Sequence, residues 1–135
     1  MKTHVLAYLI GGFSFLALDA IWLGVMANLL YRPQLGNLLL EKFLVAPAAA
    51  FYLLYPVGIT AFAVAPALQA GSALTALGNG LLFGLLAYAT YNLTNMSTLR
   101  GWSPLVMVAD NAWGATATGL AATICFWIMR ALFKA

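Results

Sequence analysis

Residues 5–26 of the chain read VLAYLIGGFSFLALDAIWLGVM, an apolar run interrupted by one charge, Asp19. About 20 apolar residues of α-helix span the hydrocarbon core of a bilayer. The run is long for a signal peptide and no clean cleavage site follows it, so we expect a retained helix. Three more apolar segments of similar length follow at residues 43–66, 73–96 and 104–129. The sequence therefore predicts four transmembrane helices.

The composition is typical of a membrane protein without a soluble domain. Of the 135 residues, 64% are hydrophobic and 7% are charged, whereas roughly 25% of the residues in a soluble domain are charged. Because the links between the predicted spans are short, successive helices should run antiparallel. We predict an all-α fold, a four-transmembrane-helix up-down bundle that forms a single domain over residues 1–135. Gly80 and Gly84 on the third helix and Gly114 on the fourth should allow close helix packing.

The basic residues do not decide the orientation of the bundle. They are Lys2, Arg130 and Lys134 on the side of the termini, and Arg32, Lys42 and Arg100 on the side of the first and third links. This tie gives the positive-inside rule no preference. The cations lie scattered at helix ends, without a basic run, so no nucleic-acid partner is predicted.

Two of the three acidic residues fall inside predicted spans. Asp19 lies near the end of the first helix, and Asp110 lies near the start of the fourth. Those helix ends are on the same side of the membrane, and at 1.5 Å per residue both acids lie roughly 10 Å inside it. A charged aspartate at the centre of a membrane helix costs roughly 2.5–3.5 kcal/mol, and such residues usually face the bundle interior. We therefore expect both acids at one depth on neighbouring helices.

Other polar and aromatic side chains cluster in the same half of the bilayer. A tryptophan follows each aspartate by three residues and shares its helix face, and a polar stripe on the third helix has i, i+3, i+4, i+7 spacing. We predict a one-sided polar cavity there. Its ligand-binding residues are predicted to be Asp19, Trp22, Arg32, Tyr88, Tyr91, Asn92, Asn95, Arg100, Asp110 and Trp113. Tyr52 and Tyr55 fall at comparable depth, and Tyr31, Trp102 and Trp127 are suited to an aromatic belt at the membrane interface.

This cluster leaves four functions open. The first is the binding of a small amphiphilic or lipid-like ligand, or of a small organic cation, because aromatic faces beside carboxylates suit a cationic head. Arg32 and Arg100 at the mouth could hold a phosphate or carboxylate. The second is a proton- or cation-coupled transporter acting as a homodimer, since adjacent aspartates can share a proton.

The third function is a structural or accessory membrane subunit in which polar side chains join the helices. The fourth is an intramembrane acid–base enzyme. It ranks last because no nucleophile elbow, metal-ligand set or cofactor motif accompanies the acids. No cofactor and no metal are predicted, and membrane lipids are the expected surroundings.

The chain resembles an uncharacterised family of small bacterial four-helix integral membrane proteins, known as domain of unknown function 2177. The resemblance covers nearly the full length and rests on LDxxWLG at 18–24, FYLLY at 51–55, YATYNLTN at 88–95, LRGW at 99–102 and DxxWG at 110–114. It implies a bacterial inner-membrane location and no established activity. The family tends to carry an aspartate where this chain has Asn92, so a mechanism that needs a third carboxylate is not supported here.

Overall fold

The computed structural model of the protein describes residues 2–133, so that Lys134 lies outside the described residues. Four helices make up the fold, each long and apolar enough to cross a membrane. They are α1, Lys2–Leu38; α2, Val45–Ala70; α3, Ala73–Thr98; and α4, Pro104–Leu132. No strand is present between residues 2 and 133. The predicted all-α four-helix membrane fold is confirmed.

Helix α1 extends well beyond its predicted end at residue 26. Most of the polar segment between the first two predicted spans continues the helix, through a π turn at Ala27–Tyr31 to a 3-10 turn at Gly36–Leu38. The reason is tertiary packing, because Leu30 and Leu35 are buried against Val106 of α4 in a small second core. We call residues 27–38 the α1 arm.

Helix α2 changes its hydrogen bonding halfway along. Pro56 lies inside the helix, and a π turn follows at Thr60–Val64. The Thr60 hydroxyl donates to the Pro56 carbonyl oxygen at 2.8 Å. Contacts between α2 and α3 are concentrated in this second half of α2. The first half of α2 stands apart from α3 and leaves space between the helices.

Helices α3 and α4 form the closest pair in the bundle. A Cβ atom added to Gly80 would lie 2.8 Å from the Cα of Gly119, and one added to Gly84 would overlap the Gly114 carbonyl oxygen. A Cβ on Gly114 would in turn overlap the ring of Tyr88. The predicted contact through small residues is therefore present, because no larger residue fits at these positions.

Both helices of this pair begin at a capping serine. The Ser72 hydroxyl oxygen accepts a hydrogen bond from the Thr75 amide at 3.1 Å, and that of Ser103 accepts one from the Val106 amide at 3.2 Å. Such caps satisfy an amide that has no partner within the helix. The caps fix the residue at which each helix begins. They thereby fix how deep in the membrane the polar side chains of α3 and α4 lie.

Candidate functional site

Asp19 is buried on α1 and bound by two neutral donors. Its side chain is 6% exposed. The indole Nε1 of Trp113 on α4 donates to Asp19 Oδ1 at 2.9 Å, and the Tyr52 hydroxyl on α2 donates to Oδ2. One carboxylate thus joins three helices.

Asp110 is buried on α4 in a corresponding way, with 8% of the residue exposed. The Tyr31 hydroxyl of the α1 arm donates to its Oδ1, and Asn92 Nδ2 of α3 donates to its Oδ2 at 2.7 Å. The Trp22 indole Nε1 donates to the Tyr31 hydroxyl at 2.9 Å. Since that hydroxyl accepts from Trp22, its own hydrogen is available to Asp110.

The tryptophan of each Asp-x-x-Trp motif is connected by hydrogen bonds to the aspartate of the other motif. Trp113, three residues after Asp110, bonds to Asp19 of the other motif. Trp22, three residues after Asp19, reaches Asp110 through the Tyr31 hydroxyl. The two indole rings stack with centroids 4.7 Å apart and planes 5° from parallel. The motifs therefore hold one joint network between α1 and α4.

Asn92 links this network to α3 and to the third link. It is fully buried. Besides Asp110, its Nδ2 lies within hydrogen-bond distance of Asn111 Oδ1 at 3.0 Å, and its Oδ1 accepts from Trp102 Nε1 at 3.3 Å. Gly101 has a φ of 76°, a left-handed turn in the residue before Trp102. The link thereby brings an indole into the polar cluster.

The π turn in the α1 arm brings Tyr31 to its partner. Tyr31 follows Asp19 by twelve residues. In a regular α-helix residues eleven apart share a face, so one extra residue taken up by a π turn places residues twelve apart in line. Asp19 and Tyr31 therefore both face α4. The spacing alone did not reveal this, because nothing in the sequence marks the π turn.

A large cavity opens beside the two aspartates, between α1, the first half of α2 and the last turns of α3. Its volume is about 1160 Å³. Asp19 and Asp110 are part of its wall, together with Tyr52 and Tyr55 of α2. Most of the remaining wall is apolar, as with Leu16, Leu23, Leu35, Pro47, Ala48 and Phe51. The cavity lies in the half of the bundle where the polar residues were predicted to gather.

Five of the ten predicted site residues line this cavity. They are Asp19, Arg32, Tyr88, Tyr91 and Asp110. Trp22, Asn92 and Trp113 lie behind the wall, because their polar atoms are engaged in the network and the two indole rings cover one another. These three residues position the side chains of the wall and are not part of it.

Two further predicted residues lie outside the cavity wall. Asn95 is half-buried one turn nearer the end of α3 than Asn92, and Arg100 is exposed in the link. Of the two arginines predicted at the mouth, only Arg32 lines the cavity, because the link turns Trp102 inward to Asn92 and to the cavity wall. The structure therefore places one basic side chain, and not two, at the cavity wall.

Several residues outside the predicted set belong to the site. Tyr31 and Trp102, predicted as belt residues, are half-buried and bond to Asp110 and Asn92. Tyr52 holds Asp19, and the Tyr55 hydroxyl lies 2.8 Å from the Thr118 hydroxyl. Their depth in the predicted helices indicated Tyr52 and Tyr55. Trp127 is 57% exposed, as a belt residue would be.

Comparison with known proteins gives one match. A family model described as "Predicted membrane protein (DUF2177)" matches residues 4–127. No curated protein matches the chain. No solved structure matches it either.

Proposed function

Since this chain belongs to the DUF2177 family of predicted membrane proteins, we propose that it binds a small amphiphilic or lipid-like molecule in the cavity beside Asp19 and Asp110. The observation that carries this proposal is the contrast within one cavity. Its walls are mostly apolar, and two carboxylates, those of Asp19 and Asp110, are part of them. Small-molecule sites typically combine apolar walls with a few placed polar groups that fix orientation.

The size of the cavity supports a ligand larger than an ion. Typical ligand pockets measure about 300–1,000 Å³, and this one has about 1160 Å³. A water molecule in the liquid occupies about 30 Å³. The cavity is many times larger, so it has room for an alkyl chain together with a head group. The apolar wall would take the chain, and the carboxylates would take the head.

The rim of the cavity supports entry from the bilayer. Leu16, Leu23 and Phe51 line the cavity and are also 40%, 41% and 39% exposed. In a membrane such exposed apolar side chains contact lipid. An amphiphile dissolved in the bilayer therefore reaches the cavity without crossing water. An all-helical membrane protein also fits a bacterial inner membrane, since outer-membrane proteins are β-barrels.

A coupled transporter is the second candidate. It is favoured by the joint network of Asp19 and Asp110, because two carboxylates held together between helices can exchange a proton for a cation. It predicts a pH-dependent flux in liposomes that Asp19→Asn abolishes. An amphiphile-binding protein without transport would show no such flux.

The proposed binding is tested by filling the cavity. Ala48 lines the cavity on α2, whereas Ala50 of the same helix is exposed and outside the wall. We expect Ala48→Phe to exclude the ligand and Ala50→Phe to retain it, because only the first ring occupies the cavity.

The measurement is native mass spectrometry of each variant released from lipid nanodiscs, followed by lipid and metabolite analysis of the bound species. A species carried by wild type and by Ala50→Phe but absent from Ala48→Phe supports the proposal. A wild-type protein without any retained species, or equal retention by all three proteins, contradicts it. Thermal unfolding of each variant checks that the bundle is intact.

A further inference from the structure

We infer that the head group bound beside Asp19 and Asp110 is an organic cation, an ammonium or similar group carried by an apolar chain. This inference rests on the proposed function, because it names the chemical class of the ligand for the same cavity. It is carried by the hydrogen-bond pattern of the two carboxylates, by the charge of their partners and by the side chains that complete the wall.

All four carboxylate oxygens accept a hydrogen bond. Trp113 and Tyr52 donate to the two oxygens of Asp19, and Tyr31 and Asn92 donate to those of Asp110. An indole N–H and an amide NH₂ are donors only, and the hydroxyl of Tyr31 already accepts from Trp22. Three of the four oxygens thus meet a group placed to donate, and only Oδ2 of Asp19 meets a hydroxyl, that of Tyr52, with no second partner to fix its direction. This pattern suits ionised carboxylates, which only accept.

Each of the four donors is uncharged. Neutral hydrogen bonds offset part of the cost of burying a carboxylate, but they do not neutralise its charge. Asp19 and Asp110 thus contribute two negative charges to a mostly apolar cavity wall, which also holds Glu41 and one basic residue, Arg32, so that acids outnumber bases there. Both side chains keep a small exposed fraction, 6% and 8%, at the cavity wall. A cation bound beside either carboxylate is attracted by it, whereas an anion there is repelled.

The rest of the wall favours an organic cation over a metal ion. The aromatic rings of Tyr88 and Tyr91 line the same cavity, and the faces of such rings attract ammonium groups. Within residues 2–133 no group of three or more histidine, cysteine or acidic residues is placed to hold a metal ion. The volume of about 1160 Å³ also leaves room for a chain behind the head.

The inference is tested with three amphiphiles that share a twelve-carbon chain: dodecylammonium, dodecanol and dodecyl phosphate. Each is titrated calorimetrically into the protein in phosphatidylglycerol nanodiscs, whose lipids carry no ammonium group, with empty nanodiscs as the blank for partition into lipid. We expect dodecylammonium to bind at least about 10-fold more tightly than dodecanol, and dodecyl phosphate to bind more weakly than both. Binding of dodecanol or dodecyl phosphate as tight as that of dodecylammonium overturns the inference.

Two acid-to-amide variants and one control locate the charge. Asp19→Asn and Asp110→Asn should each weaken dodecylammonium binding about 10-fold, which corresponds to the loss of one interaction with a charged group. The control is Arg130→Gln, which removes a charge from an exposed position outside the cavity wall and should change binding less than about 2-fold. Asp19→Asn can keep the Trp113 bond through its amide oxygen, so it remains informative if Asp110→Asn unfolds. Unchanged binding by a folded Asp19→Asn variant contradicts the inference.

The Ala48→Phe variant separates the two proposals. Saturable binding of dodecanol or dodecyl phosphate that Ala48→Phe removes, with no preference for dodecylammonium, would leave the proposed amphiphile site standing and refute the cationic head group. If none of the three amphiphiles binds saturably to wild type, both proposals fail.

Discussion

Tyr52 and Tyr8 show how much the nature of the acceptor matters for a single hydroxyl. Tyr52 donates to the buried carboxylate of Asp19, whereas Tyr8 donates to the carbonyl oxygen of Leu53 at 2.6 Å on an exposed face. Hydrogen bonds to charged groups contribute about 1.5–3 kcal/mol and neutral ones about 0.5–1.5 kcal/mol. We therefore expect Tyr52→Phe to lower the free energy of unfolding by about 2 kcal/mol and Tyr8→Phe by about 1 kcal/mol.

Reversible unfolding in mixed micelles measures both free energies. The two variants remove the same atom from the same kind of residue, so each serves as the control for the other. An equal loss of unfolding free energy in both variants would mean that the bond from Tyr52 to Asp19 is no stronger than a hydrogen bond to a neutral acceptor.

At the scale of residues, the sequence predicted the acids better than their partners. Asp19 and Asp110 stand out because a charge inside a membrane span is costly, and the structure buries both. Tyr31 did not stand out, since its position near a helix end also fits an interface belt. Its bond to Asp110 depends on the π turn and on the packing of the α1 arm, and neither has a local sequence pattern.

At the scale of helices, the start of α4 differs from that of α3 in one contact. Ser72 and Ser103 both cap a helix, but the Ser103 hydroxyl also donates to Gln34 Oε1 of the α1 arm at 2.7 Å. Loss of either cap should cost about 1 kcal/mol. We expect Ser103→Ala, and not Ser72→Ala, to increase amide hydrogen exchange in residues 32–38 as well, because only that variant releases the arm.

Hydrogen-exchange mass spectrometry of both variants in nanodiscs makes the comparison. Peptides from the first half of α1 provide an internal reference that neither change should affect. If the arm exchanges equally fast in the two variants, the contact between Gln34 and Ser103 does not hold it.

The helices themselves were predictable because length and hydropathy define a span. Pro104 indicated the start of α4, and the structure begins the helix at that residue. The end of α1 was not predictable, because Asn28, Arg32 and Pro33 resemble a polar link. Burial of Leu30 and Leu35 overrides that local preference, and this burial depends on the distant residue Val106.

At the scale of the whole molecule, the up-down bundle predicts which segments share a side of the membrane. The link between α1 and α2 and the link between α3 and α4 should lie together, opposite the turn at Gly71. We expect cysteines introduced at exposed positions, as Glu41→Cys and Arg100→Cys, to react with an impermeant maleimide from one side, and Gln69→Cys to react only from the other.

Cys125 is fully buried, so the unmodified chain should remain unlabelled and serves as the blank. Sealed vesicles of known orientation show on which side of the membrane each cysteine lies. The equal number of basic residues on the two sides leaves this orientation open. Labelling of Glu41→Cys and Arg100→Cys from opposite sides would refute the up-down arrangement. Equal labelling of every variant from both sides would instead indicate insertion in two orientations.

The uneven distribution of polar residues along the bundle predicted at which end the cavity lies. It predicted a one-sided polar cavity there, but not the mostly apolar wall or the uneven packing of α2, whose first half stands away from α3 while its second half packs against it. The two helices meet closely near the middle of α2, where the Phe83 ring packs against Gly58. Such contacts join residues far apart in the chain, and no periodic pattern encodes them.

The π turn at Ala27–Tyr31 also bears on how this chain can change in length over generations. Removing one codon from a regular α-helix rotates everything downstream by roughly 100° and so turns every later side chain to a new face. At a π turn the surplus residue is already accommodated in a wider ring. Deletion of the exposed residue Leu29 would therefore restore a regular helix, and Gln34 and Leu35 would still face α4. An identical loss at Ile21 would redirect the whole arm, so inherited deletions should be tolerated at Leu29 and eliminated at Ile21.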